Sequence, residues 1–276
     1  MTPNNILVPS DLSPSSNSIF PHAITIAQAS ASKLYLLHVM HPNAVNEPER
    51  LEDFPPIRDF FSVDRENGFT PPLKRAAAVG KSYLYNDDPG HVILEMAKQK
   101  HTDLICMAST TSGGLTFPWW SAGKTIERIV RRAPCSVLCL RGHPVKPKDW
   151  KRPHFRHILL LTELGDTSGA ALQNVLPWVQ RFNSILHVFP LQKDGKPTTA
   201  ESNTLRDLCQ TNPSTNVLHF AKPEKRVENL LSFVHETPIE LIAMTPRTRM
   251  EFSNRLISDV FVRLMRAADC PILVLR

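Results

Sequence analysis

The sequence has no long apolar run. Stretches such as Ile158–Leu161 are strand-sized, far short of the ~18–20 apolar residues that a membrane span needs. Met1-Thr2-Pro3 passes straight into Ile6-Leu7-Val8 without a basic-then-apolar leader. A cytoplasmic protein with no membrane partner is expected. The five cysteines, Cys106, Cys135, Cys139, Cys209 and Cys270, form no CxxC pair and no Cys/His ligand spacing, which argues against structural zinc and for buried, reduced thiols. Eleven histidines are present, yet there is no HExxH, no Ser/His/Asp set with a nucleophile turn and no carboxylate pair on one face. Nothing commits the chain to an enzymatic reaction or to a metal. Charge of one sign is scarce outside one segment: of a net +6, residues 141–157 hold six lysines and arginines against one aspartate. A basic excess in a Pro-punctuated connector reads as a solvated linker, so no nucleic-acid partner is expected.

What the sequence does have suffices for two cores. With 276 residues, 42% hydrophobic and 21% charged, either half is long enough to bury its own. In the first half Ile6–Val8 reads as a strand, Pro9-Ser10-Asp11 as a turn, and Ser16–Ser30 as a helix by apolar period. Lys33–Met40 reads as a buried strand. Leu73–Val79 has the look of a helical end stopped by Gly80, followed by a strand at Ser82–Tyr85. Pro89–Lys100 reads as a helix with proline in its first turn, and Asp103–Ala108 as another buried strand. After a loop from Ser109 to Ala122, the spacing of Ile126, Ile129, Val130 and Ala133 predicts a helix, and Ser136–Leu140 closes the half.

The second half repeats this order. Ile6-Leu7-Val8 matches Ile158-Leu159-Leu160, Leu37-His38-Val39 matches Leu186-His187-Val188, Asp103–Met107 matches Glu240–Met244, and Ala133–Val137 matches Ala268–Ile272. The matched triplets place His38 and His187 at equivalent positions. Phe261, Leu264, Met265 and Ala268 repeat the helical face of the first half. Strands alternating with helices imply an α/β fold: two tandem open parallel-sheet domains with helices on both faces. The expected boundaries are residues 1–141, a basic Pro-rich linker 142–155, and residues 156–276.

On these residues, from Ile6-Leu7-Val8-Pro9-Ser10-Asp11 through Leu37-His38-Val39 to Gly113, Gly123 and Ala133-Pro134-Cys135, the chain resembles the universal stress protein superfamily, specifically its tandem two-domain members. The resemblance implies five strands in each half in the order 3-2-1-4-5, with ligands at the point where strand order reverses. It also implies that the halves pack as a pseudo-dimer through their last strands. Nucleotide-binding members share Gly-x2-Gly-x9-Gly-Ser/Thr after strand four, where glycines admit phosphates to the backbone and a helix start offers unpaired N–H groups. Here Gly113 and Gly123 match, the first glycine falls on Thr110 or, with an insertion, on Ala108, and the hydroxyl position falls on Lys124 with Thr125 beside it. The resemblance assigns an adenine base to Pro9, Ser10 and Asp11 and the ribose to Val39. Asp11 equally suits capping of the following helix or organising the turn into it.

In the second half Thr245, Thr248, Ser258 and Asp259 stand at the glycine and hydroxyl positions, and Glu163 stands in place of Asp11. A carboxylate at the helix start and the loss of every glycine oppose phosphate there. Gly123-Lys124-Thr125 does not make a Walker A loop, because Pro118-Trp119-Trp120 precedes it, and Ser112-Gly113-Gly114 follows the wrong strand for a pyrophosphatase loop. Phe117, Trp119 and Trp120 either pack on their own or the sister domain, or cover the cleft or meet a protein partner. The expected function is non-enzymatic: a stress sensor or adaptor with a degraded ATP cleft in the first half, open to ATP or another small ligand. The rival readings are a pure interaction scaffold and a weak ATP hydrolase.

Overall fold

Ile6, Leu7 and Val8 are all fully buried, with no alternation of polar and apolar residues. That pattern belongs to a strand covered on both faces of a parallel sheet. In the computed structural model they form the centre of β1 (Asn5–Pro9), which pairs in parallel with β2 (Lys33–Met40) on one side and β4 (Leu104–Ser109) on the other. β3 (Ala76–Tyr83) lies outside β2 and β5 (Ser136–Arg141) outside β4, giving the order β3-β2-β1-β4-β5. A 3-10 turn at Ser16–Ile19 runs into α1 (Phe20–Ser30); α2 (Pro89–Gln99) precedes β4 and α3 (Trp120–Arg132) follows it. The structure describes residues 3–11, 13, 15–40, 76–83, 88–109, 120–143, 151–162, 168–190, 203, 215–217, 226–245 and 255–276. They divide after Pro153 into two compact units.

The second unit is built from β6 (His157–Thr162), α4 (Ser168–Phe182), β7 (Ile185–Pro190), β8 (Thr215–Val217), α5 (Arg226–Glu236), β9 (Leu241–Met244), α6 (Arg255–Ala267) and β10 (Ile272–Val274). Its strands are parallel in the order β10-β9-β6-β7-β8. Its central β6 is again fully buried from Ile158 through Leu160. The helical face expected from the sequence faces inward in both units: Ile126, Ile129, Val130 and Ala133 in one, Phe261, Leu264 and Ala268 in the other.

The repeat extends to individual hydrogen bonds at the amino ends of the strands. After α1, Ala31 turns left-handed at φ 53°, Ser32 N–H donates to Ala27 O (2.9 Å) and Ser32 Oγ to Pro3 O (2.6 Å). After α4, Asn183 turns left-handed at φ 49°, Ser184 N–H donates to Val179 O (2.9 Å) and Ser184 Oγ to Phe155 O (2.5 Å). Lys33 N–H to Asn4 O and Ile185 N–H to Arg156 O, both 2.7 Å, start the strand pairing in each unit. Asp103 Oδ2 accepts the amides of Asn4 (2.8 Å) and Asn5 (3.0 Å). Glu240 Oε2 likewise accepts those of Arg156 and His157, the latter at 3.3 Å. A carboxylate before the fourth strand therefore satisfies backbone donors that the first strand leaves unpaired.

Two expectations are corrected here. Of the helical end expected at Leu73–Val79, residues 73–75 lie outside the described residues and Ala76–Val79 is not helical: Ala76–Tyr83 is one strand through Gly80. The helix propensity of Ala76-Ala77-Ala78 is overridden by a backbone ladder to Leu34, Tyr35 and Leu36. The two Leu-His-Val triplets are not equivalent either. Ile6 pairs with Leu34 and Ile158 with Leu186, so His187 corresponds to Tyr35, and His38 to Pro190. The triplets are three residues out of phase. An odd offset also places the two imidazoles on opposite sheet faces.

His38 therefore ends up at the carboxyl end of its strand, whereas His187 lies mid-strand beside His157, Nδ1 of His157 being 3.1 Å from Nε2 of His187. Cys106 and Cys139 are buried thiols whose pKa burial pushes up, and Cys270 is pushed up to about 12 by the same cause. Unreactive thiols result.

Ala31 adopts a backbone conformation that suits glycine, whereas its counterpart Asn183 tolerates it. Ala31→Gly is expected to stabilise the first unit by about 0.5–1 kcal/mol, read as a higher urea midpoint; an unchanged or lower midpoint would show that the turn carries no strain.

Candidate functional site

β1 and β4 are neighbours, but the chain leaves β1 for β2 and β4 for β5, on opposite sides. A crevice opens beyond the carboxyl ends of two strands that part in this way. The β1 wall begins at Pro9, buried and paired to Leu37 by register. Both main-chain groups of Ser10 are then held from β2: its N–H donates to Leu37 O (2.9 Å), and His38 Nδ1 donates to its carbonyl (3.0 Å). Val39, half-buried, follows His38 on β2.

Asp11 is exposed, and its Oδ1 accepts the Ser13 amide at 3.0 Å. This is a turn closed by a side chain. Capping falls to Ser13, whose Oγ accepts Ser16 N–H (3.2 Å) and whose carbonyl accepts Asn17 N–H (3.0 Å). Of the roles open to Asp11, the structure shows the turn, with the carboxylate left at the surface. Ser10 Oγ lies 2.8 Å from Ser16 Oγ and 3.5 Å from Asn17 Oδ1. The β1 side of the crevice thus carries hydroxyls and a carboxylate and has its backbone already committed.

The β4 wall ends in Ala108, buried, and Ser109, half-buried. Gly142, just past β5, closes against it: its N–H donates to Ser109 Oγ at 3.2 Å. A Cβ built on Gly142 would overlap the Ser109 carbonyl oxygen and come within 2.7 Å of the Ser15 carbonyl oxygen. Glycine is required there by close backbone approach. Thr110, Gly113, Phe117 and Trp119 lie outside the described residues.

α3 starts at Trp120, earlier than the loop expected to run to Ala122. The unpaired amides of the first turn therefore end at Ala122. Gly123, Lys124 and Thr125 fall within the helix rather than at its opening. The helix is fixed by Arg128, whose guanidinium pairs with Asp88, while Asp88 Oδ1 also accepts the His91 amide (3.3 Å) as N-cap of α2. A Cβ on Gly90 would lie 3.1 Å from Arg128 Cδ, so the arginine stem runs over that glycine.

Pro9, Ser10, Asp11, Val39 and Ala108 are all placed at the carboxyl edge of one sheet. Sequence reasoning missed Ser13, His38, Ser109 and Gly142. The spacing of Ser13 three residues before Ser16 was a legible cap signal. Gly142 gave none, because the atoms that exclude a side chain there come from Ser15 and Ser109, distant in sequence. In the second unit Thr162, buried, takes the place of Ser10, and Thr245 that of Ala108. Ser258 and Asp259 lie in the first turns of α6, and Glu163 and Thr248 lie outside the described residues. Among the described residues no group of three or more His, Cys, Asp or Glu side chains is arranged to hold a metal, and no helix is long and apolar enough to cross a membrane.

A family model described as the universal stress protein family matches residues 3–141. A universal stress protein from Methanocaldococcus jannaschii is 26% identical over 146 residues, covering 52% of this chain and 82% of that protein. Among solved structures, a universal stress protein from Archaeoglobus fulgidus superposes with a TM-score of 0.63 at 15% identity, covering 99% of this chain and 96% of the other. A functionally unknown protein from Pseudomonas aeruginosa superposes with a TM-score of 0.62 at 17% identity, covering 99% and 92%. At these identities the two structures establish the shared fold.

Gly142→Ala is expected to cost about 1–3 kcal/mol of stability, since the clashing atoms are backbone and have no rotamer to escape into. Equilibrium unfolding in urea measures it; a loss within a few tenths of a kcal/mol would mean that the segment after β5 is free to move away.

Proposed function

Because the chain belongs to the universal stress protein family, we propose that it is a non-enzymatic stress-response sensor or adaptor that takes an adenine nucleotide, ATP in the first instance, in its N-terminal unit only. One observation carries the reading: Ser10, Asp11, Val39 and Ala108 stand together at the carboxyl ends of β1, β2 and β4, with Asp11 exposed while its turn is fixed. A carboxylate that is both accessible and immobilised can accept the exocyclic amino group of adenine at little entropic cost. The Ser10 main chain is spent on β2, so base recognition falls to side chains. Gly123, one turn into α3, keeps a side chain out of the phosphate approach, and Lys124 contributes a cation.

The second unit serves as a structural or partner-binding copy. Its equivalents put Thr245 for Ala108, Ser258 for Gly123 and Asp259 for Lys124, and a carboxylate in place of a cation repels polyphosphate.

Calorimetric titration of the full chain with MgATP is expected to give one site per chain. Asp11→Ala and Lys124→Ala should each weaken it about tenfold, or 1.4 kcal/mol, whereas Glu163→Ala should leave it unchanged. Absence of binding at millimolar MgATP would reduce the protein to an interaction scaffold, and phosphate release above a buffer control would make it a hydrolase.

A further inference from the structure

β6 and β7 are joined through two imidazoles as well as through their backbones. His157 Nδ1 and His187 Nε2 are 3.1 Å apart, the ring centres are 5.4 Å apart, and the ring planes differ by 18°. The centre separation exceeds the nitrogen separation by about one ring width, so both nitrogens lie on the line between the centres. The rings meet edge to edge in an N–H···N hydrogen bond. Such a bond needs one protonated and one bare nitrogen.

His187 is buried, Phe233 of α5 packs edge-on against its ring at 5.5 Å between centres, and its Nδ1 has no hydrogen-bond partner. That atom decides which proton arrangement is stable. If His157 Nδ1 donates, His187 must carry its proton on Nδ1, leaving a buried N–H unsatisfied. If His187 Nε2 donates, Nδ1 is only a bare acceptor, the cheaper state. The neutral pair therefore holds its shared proton on His187 Nε2. Any added proton disturbs this: a bonded pair carrying one charge places a proton on His187 Nδ1 whichever ring is charged, and charging both rings sets two N–H groups against each other.

We propose that the His157–His187 pair is an acid-release latch in the C-terminal unit, bonded while both rings are neutral and opened by protonation, so that β7 and α5 loosen from β6 on acidification. Burial first, and His157 second, lower the pKa of His187 from its ordinary value of 6.5. The unfolded chain thus takes the proton at higher pH than the folded one. The latch contributes fully above pH 6.5 and is lost as pH falls through the depressed value.

The charged and titratable groups on the neighbouring elements begin with Arg181 in the last turn of α4. On α5 these are Arg226, Glu228, His235 and Glu236, and on α6 Arg255, Asp259, Arg263 and Arg266; β7 adds none beyond His187, and β8 has none. Before β9, Glu240 is engaged with the backbone amides of Arg156 and His157. Glu228 pairs with Arg263 at 3.6 Å. Among the described residues no carboxylate forms an ion pair with either ring. The assignment is independent of nucleotide binding in the other unit.

Nitrogen-detected NMR of the imidazoles in the full chain, with hydrogen-exchange protection factors between pH 7.5 and 5, tests the proposal. At pH 7.5 His187 should appear as the Nε2–H form with scalar coupling to His157 Nδ1. By pH 5 that coupling should vanish and protection over residues 185–190 and 226–236 should drop at least tenfold. His187→Phe should abolish the local drop; should it fail to fold, His157→Leu should show low protection already at pH 7.5 with little further change. Acid loosening that originates at His22, whose pKa burial lowers to about 4, would persist in both variants and be confined to the N-terminal unit. Finding His187 protonated on Nδ1 at neutral pH, or titrating together with exposed His235 while protection stays constant, would overturn the latch.

Discussion

A parallel strand covered on both faces can satisfy its backbone only through its two neighbours, so any polarity left over must gather at the strand ends. β1 and β6 obey this limit, being buried without interruption along their centres. Every feature with chemical content in this protein follows from it. The amino ends hold the structure together, and the carboxyl ends of β1, β2 and β4 frame the candidate site.

At the amino ends the two units are almost superimposable in their bonding. Ser32 and Ser184 hold the chain just ahead of the central strand, and Asp103 and Glu240 collect its first free amides. These solutions depend on backbone geometry alone and survive the exchange of Asp for Glu and of Ala31 for Asn183. At the carboxyl ends the units differ: Ser10 and Ala108 in one, Thr162 and Thr245 in the other. The two units thus share the bonding that starts their sheets and differ in the side chains at the opposite edge.

The sequence made the α/β class, the parallel strands and the inward helical faces legible, because burial on two faces writes continuous apolar runs and a 3.6-residue period. It misled at Ala76-Ala77-Ala78, where local propensity points to helix and the ladder to β2 prevails. It misled again at Leu-His-Val, where an identical triplet hid a three-residue phase difference visible only in the pairing of β1 with β2 and β6 with β7. At the candidate site Pro9, Ser10 and Asp11 could be found as a turn between strand and helix. The role of His38 could not, since its bond to the Ser10 carbonyl joins two strands.

Gly142 stands where the chain leaves the first sheet, wedged between the end of β4 and the turn that opens α1. Any polypeptide continuing beyond that sheet must thread a gap too narrow for a methyl group. A side chain at that position could be admitted only by displacing main chain at Ser15 or Ser109, so the direction in which the chain leaves the sheet is tied to the packing of two distant segments.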